Sequence, residues 1–97
     1  MRVDAVTEKK LIGKITHYFS KIGVVVVELS DEIKVGDRIS VEGATTSFEQ
    51  VVESMEIDNK KVETATNGQA IGMKVKEKVR PQDSVYKILQ DNRIEAV

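Results

Sequence analysis

The sequence predicts an all-β fold, and a small closed antiparallel barrel rather than an open sheet. Valine and isoleucine come in short runs with turn residues between them, the spacing of strands in a sandwich or barrel. Four consecutive valines, Val24 to Val27, mark a strand with two apolar faces. No segment carries a convincing helical period, and about six short strands would leave exposed edges unless the sheet curled and closed.

The first strand is Leu11 to Phe19, which turns through Ser20-Lys21-Ile22-Gly23 into the second, Val24 to Leu29. Because both faces of the valine run are apolar, that strand is placed centrally, covered on both sides or nearly so. Lys34-Val35-Gly36-Asp37 suits a type II turn, since Gly36 stands where a positive φ is needed. Arg38 to Gly43 follows as a short strand. From Phe48 to Ile57 the apolar residues alternate except at Val52, which predicts one strand carrying a bulge. Asp58 to Lys61 reads as a four-residue hairpin loop into Val62 to Ala65. Thr66 to Gln69 is a further turn, and strands at Ala70–Val75 and Ser84–Ile88 complete the set. Residues 1–9 and 90–97 are expected to be loosely held on either side of a barrel at 10–89.

Composition excludes several classes of function. Lys and Arg number 15 against 16 Asp and Glu, a net charge of −1 in 97 residues. The positive field of a general nucleic-acid binder is therefore absent, and any such binding needs a local patch. With no cysteine there is no disulfide, no thiolate nucleophile and no zinc site of the Cys type. The start, MRVDAVTEKKLIG, lacks the apolar stretch of a signal peptide, and no apolar run approaches the roughly 18 residues of a membrane span. A cytoplasmic protein with no membrane partner is the expectation.

One motif recurs. IKVGDRI (Ile33 to Ile39) is echoed by VRPQDSV (Val79 to Val85), each a tight turn whose Asp carboxylate can accept a backbone N–H. In the second copy Pro81 presets φ and Gln82 replaces the glycine. A type I turn is expected there, because a non-glycine residue in the left-handed region costs about 1 kcal/mol or more. Taken with IGKI, GVVVVEL, VEG, VVESMEI and VETATNGQAIGMKV, these motifs make residues 12–88 resemble the second domain of elongation factor Tu and other translational GTPases. More narrowly, GKITHYFSKIGV resembles the stand-alone elongation-factor-like proteins that consist of this barrel alone. The accessory barrels at the end of collagenase-like peptidases are also similar. The resemblance implies a closed six-stranded antiparallel Greek-key barrel of the translation-protein kind.

The departures limit what carries over. There is no G-x-x-x-x-G-K-[ST], and DNKK at Asp58 to Lys61 is not a guanine-reading N-K-x-D, so no nucleotide is expected. Elongation factor Tu holds the aminoacyl end of tRNA with an asparagine whose counterpart here is Ala70; Asn67 lies three residues earlier and does not inherit the role.

Two groups of residues stand out. His17, Tyr18 and Phe19 include the only histidine and two of the four aromatics. On a strand His17 and Phe19 face one way and Tyr18 the other, so one face could form a stacking platform or a rim pocket for a partner. The plainer reading is that one ring fills the core while the others cover a flank. A catalytic His17 finds no serine or cysteine partner grouping, and a lone imidazole makes a poor metal site. The second group is Lys74, Lys76, Lys78 and Arg80, every second residue of MKVKEKVRP. If extended, they form a cationic stripe about 20 Å long that could track phosphates. The plainer reading is a solvated strand face that discourages edge pairing. The acidic set Glu49, Glu53, Glu56, Asp58 and Glu63 falls across several faces and reads as solvated surface.

The function expected is that of a non-enzymatic binding module related to translation factors, without cofactor or metal. It would contact ribosomal RNA, tRNA or a ribonucleoprotein through Lys74, Lys76, Lys78 and Arg80. The alternative is a protein-interaction barrel in which His17, Tyr18 and Phe19 dock a partner enzyme such as a collagenase-like peptidase.

Overall fold

A computed structural model describes residues 7–91. Among them are ten strands and no helix: β1 (Thr7–Phe19), β2 (Val24–Leu29), β3 (Ile33–Lys34), β4 (Arg38–Glu42), β5 (Ser47–Val51), β6 (Met55–Ile57), β7 (Lys60–Val62), β8 (Thr64–Ala65), β9 (Ala70–Lys74) and β10 (Ser84–Asp91). Eight of them form one antiparallel sheet in the order β5-β4-β10-β1-β2-β9-β6-β7, and β3 pairs with β8 apart from it. The all-β expectation holds. The closed six-stranded Greek-key barrel is corrected: no ladder joins the end strands β5 and β7, so the main sheet is open. Pairing begins at Thr7 and reaches Asp91, beyond the expected limits of 10–89, while residues 1–6 and 92–97 of the two expected tails lie outside the described residues.

The strand expected from Phe48 to Ile57 is in fact two. β5 pairs with β4 at one edge of the sheet, whereas β6 pairs with β9 near the other. Between them Val52 is wholly buried, donates its N–H to Asp37 O and accepts from Gly36 N–H, both at 2.9 Å. What looked like a bulge is a crossing, and Val52 breaks the alternation because it is pinned into the core.

β1 is long because it serves two neighbours: its first half pairs with β10 and its second with β2. Alternation sends Val25, Val27, Ile71 and Val85 inward, and the irregularity in β1 between Leu11 and Gly13 brings Ile12 inward with Ile15, all with no exposed surface. Each such side chain contributes roughly 1.5–3 kcal/mol by leaving water. The valine run is covered on one face only. Val25 and Val27 enter the core, but Val24 and Val26 face outward and are half-buried.

The turns follow local chemistry. Phe19 O accepts from Ile22 N–H and Gly23 N–H at 3.1 and 2.9 Å, closing the expected Ser20–Gly23 loop. The β6–β7 hairpin is tighter than DNKK suggested: Ile57 pairs with Lys60, leaving Asp58 and Asn59 as a two-residue turn at φ 52° and 67°. Asp and Asn tolerate that left-handed region better than most residues, which suits the primed turns of hairpins. At the expected type II turn Gly36 has φ 97°. Gln82 has φ 82°, so the second copy adopts the same positive-φ geometry and not the type I turn expected there.

Two surface carboxylates tie the start of β1 down. Glu42 accepts from Lys9 Nζ and, at 2.8 Å, from Ser40 Oγ, and these bonds hold its carboxyl below the ordinary range. Asp31 accepts from Lys10 Nζ at 2.6 Å and from Glu32 N–H at 2.7 Å and is lowered likewise.

The opening of the sheet is clasped by one side chain. Gln50 on β5 donates Nε2–H to Lys74 O at 2.8 Å and accepts at Oε1 from Lys76 N–H at 3.0 Å. These are the outward-facing backbone groups on either side of Val75, whose own N–H goes to Gly23 O at 2.9 Å. A carboxamide thus satisfies the two groups that a neighbouring strand would otherwise have paired.

Candidate functional site

The His17–Phe19 trio divides as alternation requires. Tyr18 packs against the core from within the wall. His17 and Phe19 face outward and stack with ring centroids 6.2 Å apart. Phe19 is 50% exposed, and Ile22, in the turn just beyond it, is 63% exposed. The outward residues of β2 continue this surface through register: Phe19 lies opposite Val24, and His17 opposite Val26.

From β2 the surface drops into a trough over β9. Val24 pairs with Lys74, Val26 with Gly72 and Glu28 with Ala70, so the outward positions of β9 are Ala70, Gly72 and Lys74. Two of those three carry almost no side chain. A Cβ built on Gly72 would meet nothing closer than Val24 Cγ1 at 3.9 Å and Glu56 O at 4.0 Å. Beyond β9 the β6–β7 hairpin raises the far wall with Glu56, Asp58 and Asn59, and Lys21 and Lys74 also line the trough. Exposed apolar surface of this kind costs solubility and is kept where something covers it.

The cationic stripe does not form. β9 ends at Lys74, the chain bends at Lys76–Glu77, and Val79 turns into the core. Gln50 holds the backbone at Lys74 and Lys76 as a neighbouring strand would, and the bend follows at the point where that pairing stops. Lys74 and Lys76 line the seam beside Arg38, Glu49 and Glu53, while exposed Lys78 and Arg80 lie outside both clefts. The stripe is thus broken into a pair at the seam and two separate cations. Among the described residues no group of three or more His, Asp or Glu side chains could hold a metal ion. No helix among them is long and apolar enough to cross a membrane.

Ile22 and Gly72 were not singled out from the sequence, and Val24 and Val26 were read only as part of a covered strand. Their signal is there in retrospect: a strand apolar on both faces next to one whose alternate residues are Ala70 and Gly72 leaves an outer apolar surface with a hollow in it.

No family model matches the chain. An uncharacterized protease of Methanocaldococcus jannaschii is 41% identical over 76 residues, covering 77% of this chain and 19% of that protein. A collagenase of Porphyromonas gingivalis is 44% identical over 82 residues, covering 82% of this chain and 23% of its own length. The chain therefore spans about a fifth of the length of the curated relatives it matches. Among solved structures, the C-terminal domain of a protein described as a candidate U32 peptidase of Geobacillus thermoleovorans superposes with a TM-score of 0.76 at 22% identity, covering 80% of this chain and 91% of that one. At that identity the match speaks for the fold alone. These findings correct the assignment to elongation-factor-like proteins and to translation: the relatives are a protease and collagenases, and nothing in them points to RNA or a ribonucleoprotein. The motifs that suggested a translation factor are turn and strand chemistry, which a fold shares across unrelated functions. By sequence and by fold, this chain is similar to a segment of peptidase-family proteins.

Proposed function

We propose that this domain is a non-catalytic interaction module that docks against a collagenase-like peptidase through the outward face of β1, β2 and β9. The observation that carries this reading is the pairing of two exposed apolar side chains, Phe19 and Ile22, with the half-buried Val24 and Val26 beside a hollow. Such a centre, ringed by polar residues, has the make-up of a protein interface core. The peptidase partner is suggested by the relatives, in which the matching segment is a minor part of a much longer chain. His17 and Phe19 belong to the contact; Tyr18 serves the wall.

The reading is tested by mixing the tagged chain with Porphyromonas gingivalis collagenase shortened by its matching segment. Co-elution should survive moderate salt and be lost when Phe19→Ser is combined with Ile22→Ser. No complex with the unaltered chain, or capture indifferent to those substitutions, would sink it.

A further inference from the structure

The two walls of the trough over β9 differ in chemistry. One is apolar, formed by Phe19, Ile22, Val24 and Val26; the other is acidic, with Glu56 and Asp58. Lys61 lies opposite Glu56 in the β6–β7 ladder, yet no ion pair forms there, and among the described residues neither Glu56 nor Asp58 is engaged by a cation. The floor at Gly72 is open. β9, moreover, is hydrogen-bonded on both sides, to β2 and to β6, so the trough offers no free backbone edge. An extended segment laid here would leave its own peptide groups unpaired on an apolar floor, whereas a helix satisfies them internally.

We propose that this trough takes an amphipathic, basic α-helix of the partner protein, with one apolar side chain seated over Gly72 and its cations against Glu56 and Asp58. This rests on the docking reading given above and specifies the chemistry of the docked element. Glu56 lies on β6 and Asp58 in the hairpin turn that follows it, both on the far wall, and a helix advancing about 5.4 Å per turn can present basic residues to them from successive turns. Lys21 and Lys74 remain for the negative, C-terminal end of its dipole.

Two synthetic helical peptides of about 14 residues test this, one with leucines and lysines at the amphipathic spacing and one with leucines and glutamates. Binding to the full chain is read by fluorescence anisotropy. The Leu/Lys peptide should bind and the Leu/Glu peptide should bind at least about tenfold more weakly. Gly72→Leu, which fills the floor, should weaken the Leu/Lys peptide about tenfold while circular dichroism stays unchanged. Glu56→Lys with Asp58→Asn should reverse the preference between the peptides, and this variant leaves the core untouched and keeps a turn-tolerant residue at Asp58 should Gly72→Leu fail to fold. Equal binding of both peptides, or a preference that does not reverse, overturns the proposal. Capture of the shortened collagenase is a separate readout. If the peptide preference holds and reverses while the collagenase is not captured, the peptidase reading falls and the chemistry of the trough stands. If the collagenase is captured but the preference is absent, the helix proposal falls alone.

Discussion

Two turns of this molecule are built to one plan from different residues. In Lys34–Asp37 the Asp37 carboxylate accepts Lys34 N–H at 2.9 Å, and in Arg80–Asp83 the Asp83 carboxylate accepts Arg80 N–H at the same distance. Each closes with the Asp N–H on the carbonyl of the first residue, at 3.0 and 3.1 Å. Each is also bolted to one buried residue by two backbone bonds. Gly36 N–H and Asp37 O engage Val52, and Gln82 N–H and Asp83 O engage Ile15. The strands that follow, β4 and β10, pair with one another. What differs is the third residue, glycine at φ 97° against glutamine at φ 82°, and the depth of the carboxylate. Asp83 is 5% exposed, and a Cβ on Gly43 would fall 1.9 Å from its Oδ1. Asp37 is less deeply buried and pairs with Lys87 at 3.6 Å. The lesson is that the external bolts set the backbone shape, and residue preference at the bend is overridden when it disagrees.

The widest gap between the turns should appear when their carboxylates are removed. Asp83→Ala strands a part-buried Arg80 N–H and leaves a void against Gly43, at an expected cost of about 2–3 kcal/mol, whereas Asp37→Ala should cost about 1 kcal/mol. Urea unfolding of both variants measures this, and equal losses would show that burial is not what separates the copies. Next in size are the bends. Gln82→Gly should raise stability by up to about 1 kcal/mol by relieving left-handed strain, while Gly36→Ala should lower it by about 1–2 kcal/mol. A Gln82→Gly variant no more stable than the parent would mean that the glutamine is not strained.

The smallest effect lies outside both turns and checks that they do not dominate acid behaviour. Glu42 and Asp31 have folded-state pKa values below those of the unfolded chain. Their contribution is therefore fully present above about pH 5 and is lost as pH falls through the folded values. Glu42→Gln should flatten that acid slope by well under 1 kcal/mol, since the pair is exposed. A midpoint series in urea from pH 3 to pH 6 reads it; a slope that is the same in both proteins removes Glu42 from the account.

Much of the fold could be read from residue order, and the failures have physical causes. Residue order located β2 and β10, and glycine chemistry identified the bend at Gly36, but the valine run read as covered on both faces is covered on one. The crossing at Val52 was invisible because a residue that breaks alternation looks the same whether it bulges or pivots between sheet edges. The turn at Gln82 was misread because its deciding bonds come from Ile15, some 67 positions away in sequence. For the candidate site, His17, Tyr18 and Phe19 stood out through their rarity, and the structure stacks His17 on Phe19 while Tyr18 packs against the core. The hollow at Gly72 was not, since it exists only when β9 lies between β2 and β6. The lysine stripe failed for a related reason: its geometry assumed an extended chain, whereas the chain bends at Lys76–Glu77 and sends Val79 into the core.

That amide has a last consequence. Where sheets are joined by ladders, every added or deleted residue shifts a whole row of side chains from one face to the other. Here the join is a single side chain that grips the backbone at Lys74 and Lys76, so the exposed residues just beyond it, Glu77 and Lys78, lie outside any ladder. Descendants of this chain can lengthen or shorten there without disturbing the inward valines, and grafted sequence should be tolerated at that point before any other part of the perimeter.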